Sequence, residues 1–115
     1  AVFNVSRAAL LIGAMTPAVL TSPRDPNELL MEATEDKLHQ AYRGPLMEPS
    51  ARLITLLRAN GFAAMVSGAG PCVLVLHNGD ADSAIDAVAH EQLESGHWKV
   101  LHLATDTQGV QVARL

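Results

Sequence analysis

The segment that most constrains this chain is a short turn between two apolar runs. The turn has the sequence Ser67-Gly68-Ala69-Gly70-Pro71, and the runs cover residues 62–66 and 72–76. Each run is only a few residues long and is bounded by Gly or Asn, which is typical of buried strands. The two glycines allow positive φ and place no side chain between the backbone and a neighbour. The sequence therefore predicts either a plain hairpin between core strands or a backbone held close to another loop or a phosphate.

Composition indicates a single compact domain of 115 residues, with 49% hydrophobic and 17% charged residues. A net charge of −4 and a pI near 5.6 argue against nucleic acid as a partner, because phosphate binding needs a basic patch. Cys72 is the only cysteine, so an internal disulfide is impossible. Its position at a strand predicts a small buried hydrophobe in a reducing cytoplasm.

The N-terminal apolar run, Ala8 to Met15, is too short to span a bilayer and lacks the pattern of a signal peptide. The chain starts without Met, directly at an apolar helix. We therefore expect it to be the end of a longer protein or a cut domain.

Hydrophobic periodicity predicts three helices before the turn. The first runs from Asn4, as its cap, to about Met15, and one of its faces holds Val5, Ala8, Ala9, Ile12 and Met15, with Leu11 beside them. The second covers residues 27–42. The third starts at Met47 or Pro49, ends at Ala59 before an Asn60-Gly61 cap, and buries Leu53, Ile54 and Leu57.

After the two central strands, Asp80 or Asp82 is predicted to cap a fourth helix that reaches about Ser95. Two last strands are expected over 98–103 and 110–115, joined by a turn at 106–109. From Pro49 onward the order is helix, strand, strand, helix, strand, strand. This is a permuted ferredoxin-like order, and it predicts an α+β fold with a four-stranded antiparallel sheet and helices on one face, plus the N-terminal helices.

Three parts of the sequence together resemble the GHMP small-molecule kinases. They are Asn-Val-Ser-Arg-Ala-Ala-Leu-Leu at 4–11 opening a helix, Tyr42-Arg43 shortly before a proline, and the glycine turn followed by a hydrophobic strand. Within that family the flanks are similar to the homoserine kinases. The resemblance covers nearly the whole chain but only the C-terminal half of the family. The family's phosphate-binding segment, of the type Pro-x-x-x-Gly-Leu-Gly-Ser-Ser, is absent from these residues.

The resemblance implies that residues 1–115 form a GHMP kinase C-terminal domain whose N-terminal nucleotide-binding domain is absent from this chain. It implies ATP-dependent phosphorylation of L-homoserine, a cytoplasmic homodimer, and ATP and Mg²⁺ bound mainly by the missing domain. The fragment alone is expected to be inactive, with no catalytic residue of its own. Ser67, Gly68, Ala69, Gly70 and Pro71 are implied to support the phosphate loop.

Arg43 is implied by the same resemblance to bind the carboxylate of the amino-acid substrate, which a planar fork of donors suits. The ordinary alternative is an arginine in the last turn of a helix, stabilised by the helix dipole. The five histidines do not share one helix face, and no metal site is predicted from them.

Two other functions stay open at this point. One is a ferredoxin-like, ACT-type module that binds an amino acid and regulates another protein without catalysis. The other is the C-terminal domain of a different GHMP kinase, such as one acting on mevalonate or a sugar.

Overall fold

The computed structural model describes residues 2–16, 21–35 and 48–114, with side chains described from Val5 onward. The helices are α1 (Val2–Ala14), α2 (Pro26–Ala33), α3 (Glu48–Ala59), α4 (Asp82–Val88) and α5 (His90–Glu94). The strands β1 (Ala63–Val66) and β2 (Val73–Leu76) form an antiparallel hairpin. The α+β class is confirmed.

The helices that follow residue 48 pack on one face of the hairpin, as predicted, and the N-terminal helices α1 and α2 pack on the other face. Ala63 of β1 and Leu76 of β2 are register partners and pack against α1 and α2. On the opposite face, Ala64 packs against the buried side chains of α3 and against Ala89. The reason lies in the strand sequences, which are continuously apolar and leave no polar side for water.

Helix α3 and the hairpin follow the sequence closely. Leu53, Ile54 and Leu57 are buried as predicted. Gly61 has φ 85°, and its N–H donates to the carbonyl of Arg58, so the helix ends in the left-handed cap that Asn60-Gly61 predicted.

Helix α1 begins at Val2, so Asn4 lies inside it and is not its cap. The apolar face named above is exposed. The helix packs through Leu10, Leu11 and Ala14 onto Leu29 and Leu30 of α2. Both faces of α1 are apolar, and periodicity alone could not decide which of them meets α2.

Helix α2 begins at the predicted place, where the Asp25 carboxylate accepts hydrogen bonds from the N–H groups of Asn27 and Glu28. It ends at Ala33, well before the predicted Tyr42. Side chains donate to carbonyl groups of its last turn. The Thr34 hydroxyl donates to the carbonyl of Leu30 at 2.8 Å, and the Arg58 guanidinium donates to the carbonyl of Met31 at 2.7 Å.

Arg58 ties α2 to the sheet, because its guanidinium also donates to Thr34 Oγ1 at 3.0 Å and to the carbonyl of Ala64 at 3.1 Å. Loss of water around the guanidinium lowers the pKa of Arg58 from its ordinary value, and the charge of Glu35 acts in the opposite direction. The sequence reasoning gave Arg58 no role.

The predicted fourth helix is divided into α4 and α5 at Ala89. Asp82 is the first residue of α4 and does not cap it, because its carboxylate lies 3.0 Å from Nε2 of His77. The core spacing is confirmed: Ala89 is buried, and Ile85, Val88 and Leu93 pack around it.

The predicted strands at 98–103 and 110–115 are not present among the described residues, where 98–114 forms no regular structure. The described parts of the chain contain the two strands of the hairpin, and a four-stranded sheet is not confirmed. Leu103 and Val110 are 82% and 95% exposed, so the described chain offers these residues no apolar surface to pack on. Strand pairing without such packing is too weak to persist in water.

Candidate functional site

The glycine turn, Ser67 to Pro71, lies at the end of the hairpin where β1 passes into β2. The N–H of Ser67 donates to the carbonyl of Cys72 at 2.9 Å and closes the hairpin. Inside the turn, the N–H of Gly70 donates to the carbonyl of Ser67 at 3.2 Å. These two bonds fix the shape of the turn without help from outside the chain.

The turn needs glycine at two places, because Gly68 has φ 61° and Gly70 has φ 82°. A Cβ built on Gly68 would meet no atom within 4 Å. The side chains of Ser67, Ala69 and Pro71 are exposed. Four of the five turn residues, all but Gly70, are thus exposed, and a side chain at Gly68 would have room.

Ser50 connects this turn to α3. Its hydroxyl donates to the carbonyl of Pro71 at 2.6 Å, and Ser50 itself is only 2% exposed. Because Ser50 stands in the first turn of α3, the positive end of that helix lies beside the glycine turn. The sequence reasoning missed this residue, although a serine in the first turn of a helix is a common hydrogen-bonding position.

Cys72 follows the turn directly and is exposed, so the prediction of a buried cysteine is wrong. It precedes β2, whose first residue is Val73, and therefore lies outside the part of the hairpin that the helices cover.

Arg43, the predicted substrate contact, lies outside the described residues, as do Tyr42 and His39. The structure thus places the five turn residues together and leaves the position of Arg43 as a prediction. The next described residue after Arg43 is Glu48, which opens α3.

A pair of arginines surrounds Glu32 where α1 meets α2. Arg24 and Arg7 each donate to the Glu32 carboxylate, at 2.7 and 3.0 Å. These hydrogen bonds, that of Arg24 first, hold the pKa of Glu32 below its ordinary value of 4.5. Arg7 therefore fastens α1 to α2, which is a contact between helices within this chain.

A small cavity of about 60 Å³ lies at the opposite end of the hairpin, lined by Asn27, Gly61, Phe62, Ala63, Leu76, His77 and Ala81. Ligand pockets usually enclose about 300 Å³ or more, so this space is too small for a nucleotide or an amino acid. It does not compete with the glycine turn as the candidate site.

Metal ligands are not clustered in the described parts of the chain, where no group of three His, Cys, Asp or Glu residues could hold an ion. Nor does any described helix have the length and apolar character that crossing a bilayer requires.

Comparison with known proteins gives one family. The family model described as "GHMP kinases C terminal" matches residues 15–95 of the chain. This range contains α2, α3, the hairpin with its glycine turn, and the two short helices that follow.

Curated relatives that carry the name homoserine kinase align with nearly the entire chain. The protein from Leifsonia xyli subsp. xyli is 50% identical over 115 residues, covering 100% of this chain and 33% of the relative. The protein from Clavibacter michiganensis subsp. michiganensis is 45% identical over 112 residues, covering 97% of this chain and 33% of the relative. The protein from Streptomyces coelicolor is 42% identical over 112 residues, covering 97% of this chain and 32% of the relative. The chain thus spans about a third of the length of these relatives.

Proposed function

We propose that this chain, which belongs to the family of GHMP kinase C-terminal domains, is the substrate-binding C-terminal part of a homoserine kinase. The observation that carries the proposal is the alignment of the chain, over 97–100% of its length, with three proteins of that name. The full-length protein would transfer a phosphoryl group from ATP to the side-chain hydroxyl of L-homoserine, giving O-phospho-L-homoserine on the route to threonine. We place it in the cytoplasm as a homodimer.

In this proposal residues 1–115 are one domain, and a nucleotide-binding domain precedes it. The preceding domain would bind ATP and Mg²⁺. Phosphoryl transfer asks the protein mainly for positioning and charge neutralisation, so a domain can contribute to it without a nucleophile of its own.

The glycine turn would support the phosphate loop of that preceding domain. Three features favour this role: all turn residues except Gly70 are exposed, hydrogen bonds within the hairpin fix the shape of the turn, and a Cβ at Gly68 would meet no atom within 4 Å. A preformed main-chain surface can approach another main chain or an anion closely without the cost of ordering a loop. The serine anchor from α3 holds the surface in place.

Arg43 would bind the substrate carboxylate. Glu48 lies five positions after Arg43, so the backbone limits the distance between their Cα atoms to about 17 Å. The first turn of α3, which follows Arg43 in the chain, contacts Pro71 of the glycine turn through Ser50, and this supports a role for both in one site.

The Arg43→Ala variant of the full-length protein tests this role. A lost charged hydrogen bond of 1.5–3 kcal/mol corresponds to an increase of about 10- to 150-fold in the KM for homoserine, with the KM for ATP nearly unchanged. Arg52→Ala is the matched control, because Arg52 is exposed and pairs with Glu48 on its own helix. Equal small changes in both KM values would dismiss the assignment.

We also propose that residues 98–103 and 110–115 complete a four-stranded, ferredoxin-like sheet in the full-length protein. The turn between them already exists: the N–H of Gln108 donates to Oδ1 of Asp106 at 2.9 Å, and Gly109 has φ 73°. The exposed apolar side chains on either side, Leu103 and Val110, match the pattern of two strands that lack a covering surface.

The proposed function is tested by measuring ADP release by the full-length protein. Homoserine, mevalonate and galactose are compared as substrates. We expect kcat/KM for homoserine to exceed that of the other two by about 100-fold or more, because a site built for a carboxylate and an amino group rejects molecules without them. The 115-residue chain alone should release no ADP. A preference for mevalonate or galactose would assign the chain to another member of the family. No observation favours the alternative of a regulatory module that binds an amino acid.

A further inference from the structure

Helix α1 has an exposed apolar face opposite to the face that packs on α2. We call this face the outer stripe, and it consists of Val5, Ala8, Ala9, Ile12 and Met15, all exposed. Val5 is 70% exposed, Ile12 69% and Met15 48%. No charged residue interrupts the stripe.

A helix with one face exposed to water normally carries charged or polar residues on that face, and a helix that is apolar on all sides is normally buried. On α1 the polar positions are few, and its one charged residue, Arg7, contacts Glu32 of α2. The spacing of the outer stripe, with apolar residues at 5, 8, 12 and 15, is also that of a seam between packed helices. The inner face, formed by Leu10, Leu11 and Ala14, already accounts for the contact with α2.

We propose that the outer stripe docks onto an apolar face of the polypeptide that precedes this chain in the full-length protein. One part of the proposed function is needed here, namely that the chain is the C-terminal third of a longer kinase. The relatives are about three times as long as the chain, so about two thirds of such a protein lies outside the structure.

The position of α1 favours this occupant. The family match starts at residue 15, so nearly all of α1 precedes the region that defines the C-terminal domain. In a full-length protein the preceding polypeptide is joined directly to α1. A covalent tether of this kind keeps the partner at a high effective concentration, and docking then needs only a modest apolar surface. With α2 on one face and the preceding domain on the other, α1 would form the joint between the two domains.

Thiol labelling of the full-length protein tests the proposal without substrate or ATP. In a Cys72→Ser background, Ile12→Cys and Met15→Cys place thiols on the outer stripe, and Thr55→Cys places the control thiol on the exposed side of α3. Each thiol is treated with a maleimide in native buffer and again in denaturant, which gives the intrinsic rate.

We expect the two stripe thiols to react about 10- to 100-fold more slowly than Thr55→Cys in native buffer, since a covered thiol reacts only when the contact opens. The protection should persist unchanged on dilution, and all rates should agree in denaturant. Equal native rates would overturn the proposal. Protection that disappears on dilution would overturn it as well, because it would place a second copy of the chain on the stripe. Neither result depends on kinase activity, so this test and the substrate assay can fail separately.

Discussion

The hydrogen bond from Ser50 to Pro71 makes the glycine turn part of the folded core, and the Ser50→Ala variant measures that coupling. The bond is short, 2.6 Å, and Ser50 is almost fully buried. A buried hydrogen bond contributes about 0.5–1.5 kcal/mol net, and leaving a carbonyl without its donor costs more. Because Pro71 itself is exposed, water can reach its carbonyl after the change, and we expect a loss of about 1 kcal/mol.

Urea unfolding of the 115-residue chain gives this value directly, as a lower midpoint with an unchanged m value. In a thermal scan the same loss lowers Tm by about 3–5 °C for a domain of this size. Ser83→Ala is the matched control, since Ser83 stands in the first turn of α4 and is exposed. Surface substitutions usually change stability by less than about 0.5 kcal/mol.

The same variant in the full-length protein connects stability with function. If the turn supports the nucleotide-holding segment, loosening its anchor by about 1 kcal/mol should raise the KM for ATP by about fivefold. The reasoning is refuted in its first step if Ser50→Ala is as stable as Ser83→Ala. It is refuted in its second step if Ser50→Ala loses stability while the KM for ATP stays at the wild-type value.

Three further predictions concern the packing that holds the turn in place. Arg58→Met should destabilise the chain by about 2–4 kcal/mol, because the hydrogen bonds of the guanidinium to α2 and β1 are lost. The control Arg52→Met should change stability by less than about 0.5 kcal/mol. Urea unfolding of both variants measures the difference, and equal effects would contradict the prediction. Leu57→Ala should cost about 3–4 kcal/mol in the same assay, against about 1 kcal/mol or less for Leu74→Ala, because Leu57 is 2% and Leu74 41% exposed. The pKa of Glu32 is lower in the folded state, so its contribution to folding stability is present above pH 4.5 and lost as pH falls through the lower folded value. The Glu32→Gln variant should therefore lose less stability than wild type between about pH 5 and pH 3. Parallel curves of stability against pH would refute the role of the two arginines.

The sequence predicted the centre of the fold well, for a physical reason. Between Pro49 and Leu76 the signals are local: a single apolar stripe on α3, a left-handed cap at Gly61, and two short apolar runs around a glycine turn. Each of them is decided by neighbours within a few residues. The α1 face and the end of α2 were not predicted, because they depend on distant contacts. Arg58 donates to the carbonyl of Met31 from 27 residues away, and no local pattern reveals such a bond.

The candidate site was predictable in part for the same reason. Glycines in a turn between strands can be found by spacing, and the structure gives two of them positive φ. Ser50 could not be assigned to the turn, because its partner Pro71 lies on another element, 21 residues later. The exposure of Cys72 depends on where β2 begins, and a shift of one residue decides it.

The central claim is that the glycine turn abuts a nucleotide-holding segment from outside this chain, and Gly68→Ala in the full-length protein tests it most directly. Gly68 and Gly79 both have positive φ, and a Cβ on either would meet no atom of this chain within 4 Å. Both Gly→Ala changes should therefore cost similar backbone strain, about 1–2 kcal/mol. Gly79 lies beyond the opposite end of the hairpin and serves as the control.

The measurement is kcat/KM for ATP, with the stability of each variant determined alongside. The account predicts a loss of about 100-fold or more for Gly68→Ala, because the added methyl group meets the nucleotide-holding segment, and about threefold or less for Gly79→Ala. Equal changes in the two variants would contradict the account and leave Ser67 to Pro71 as an ordinary hairpin turn.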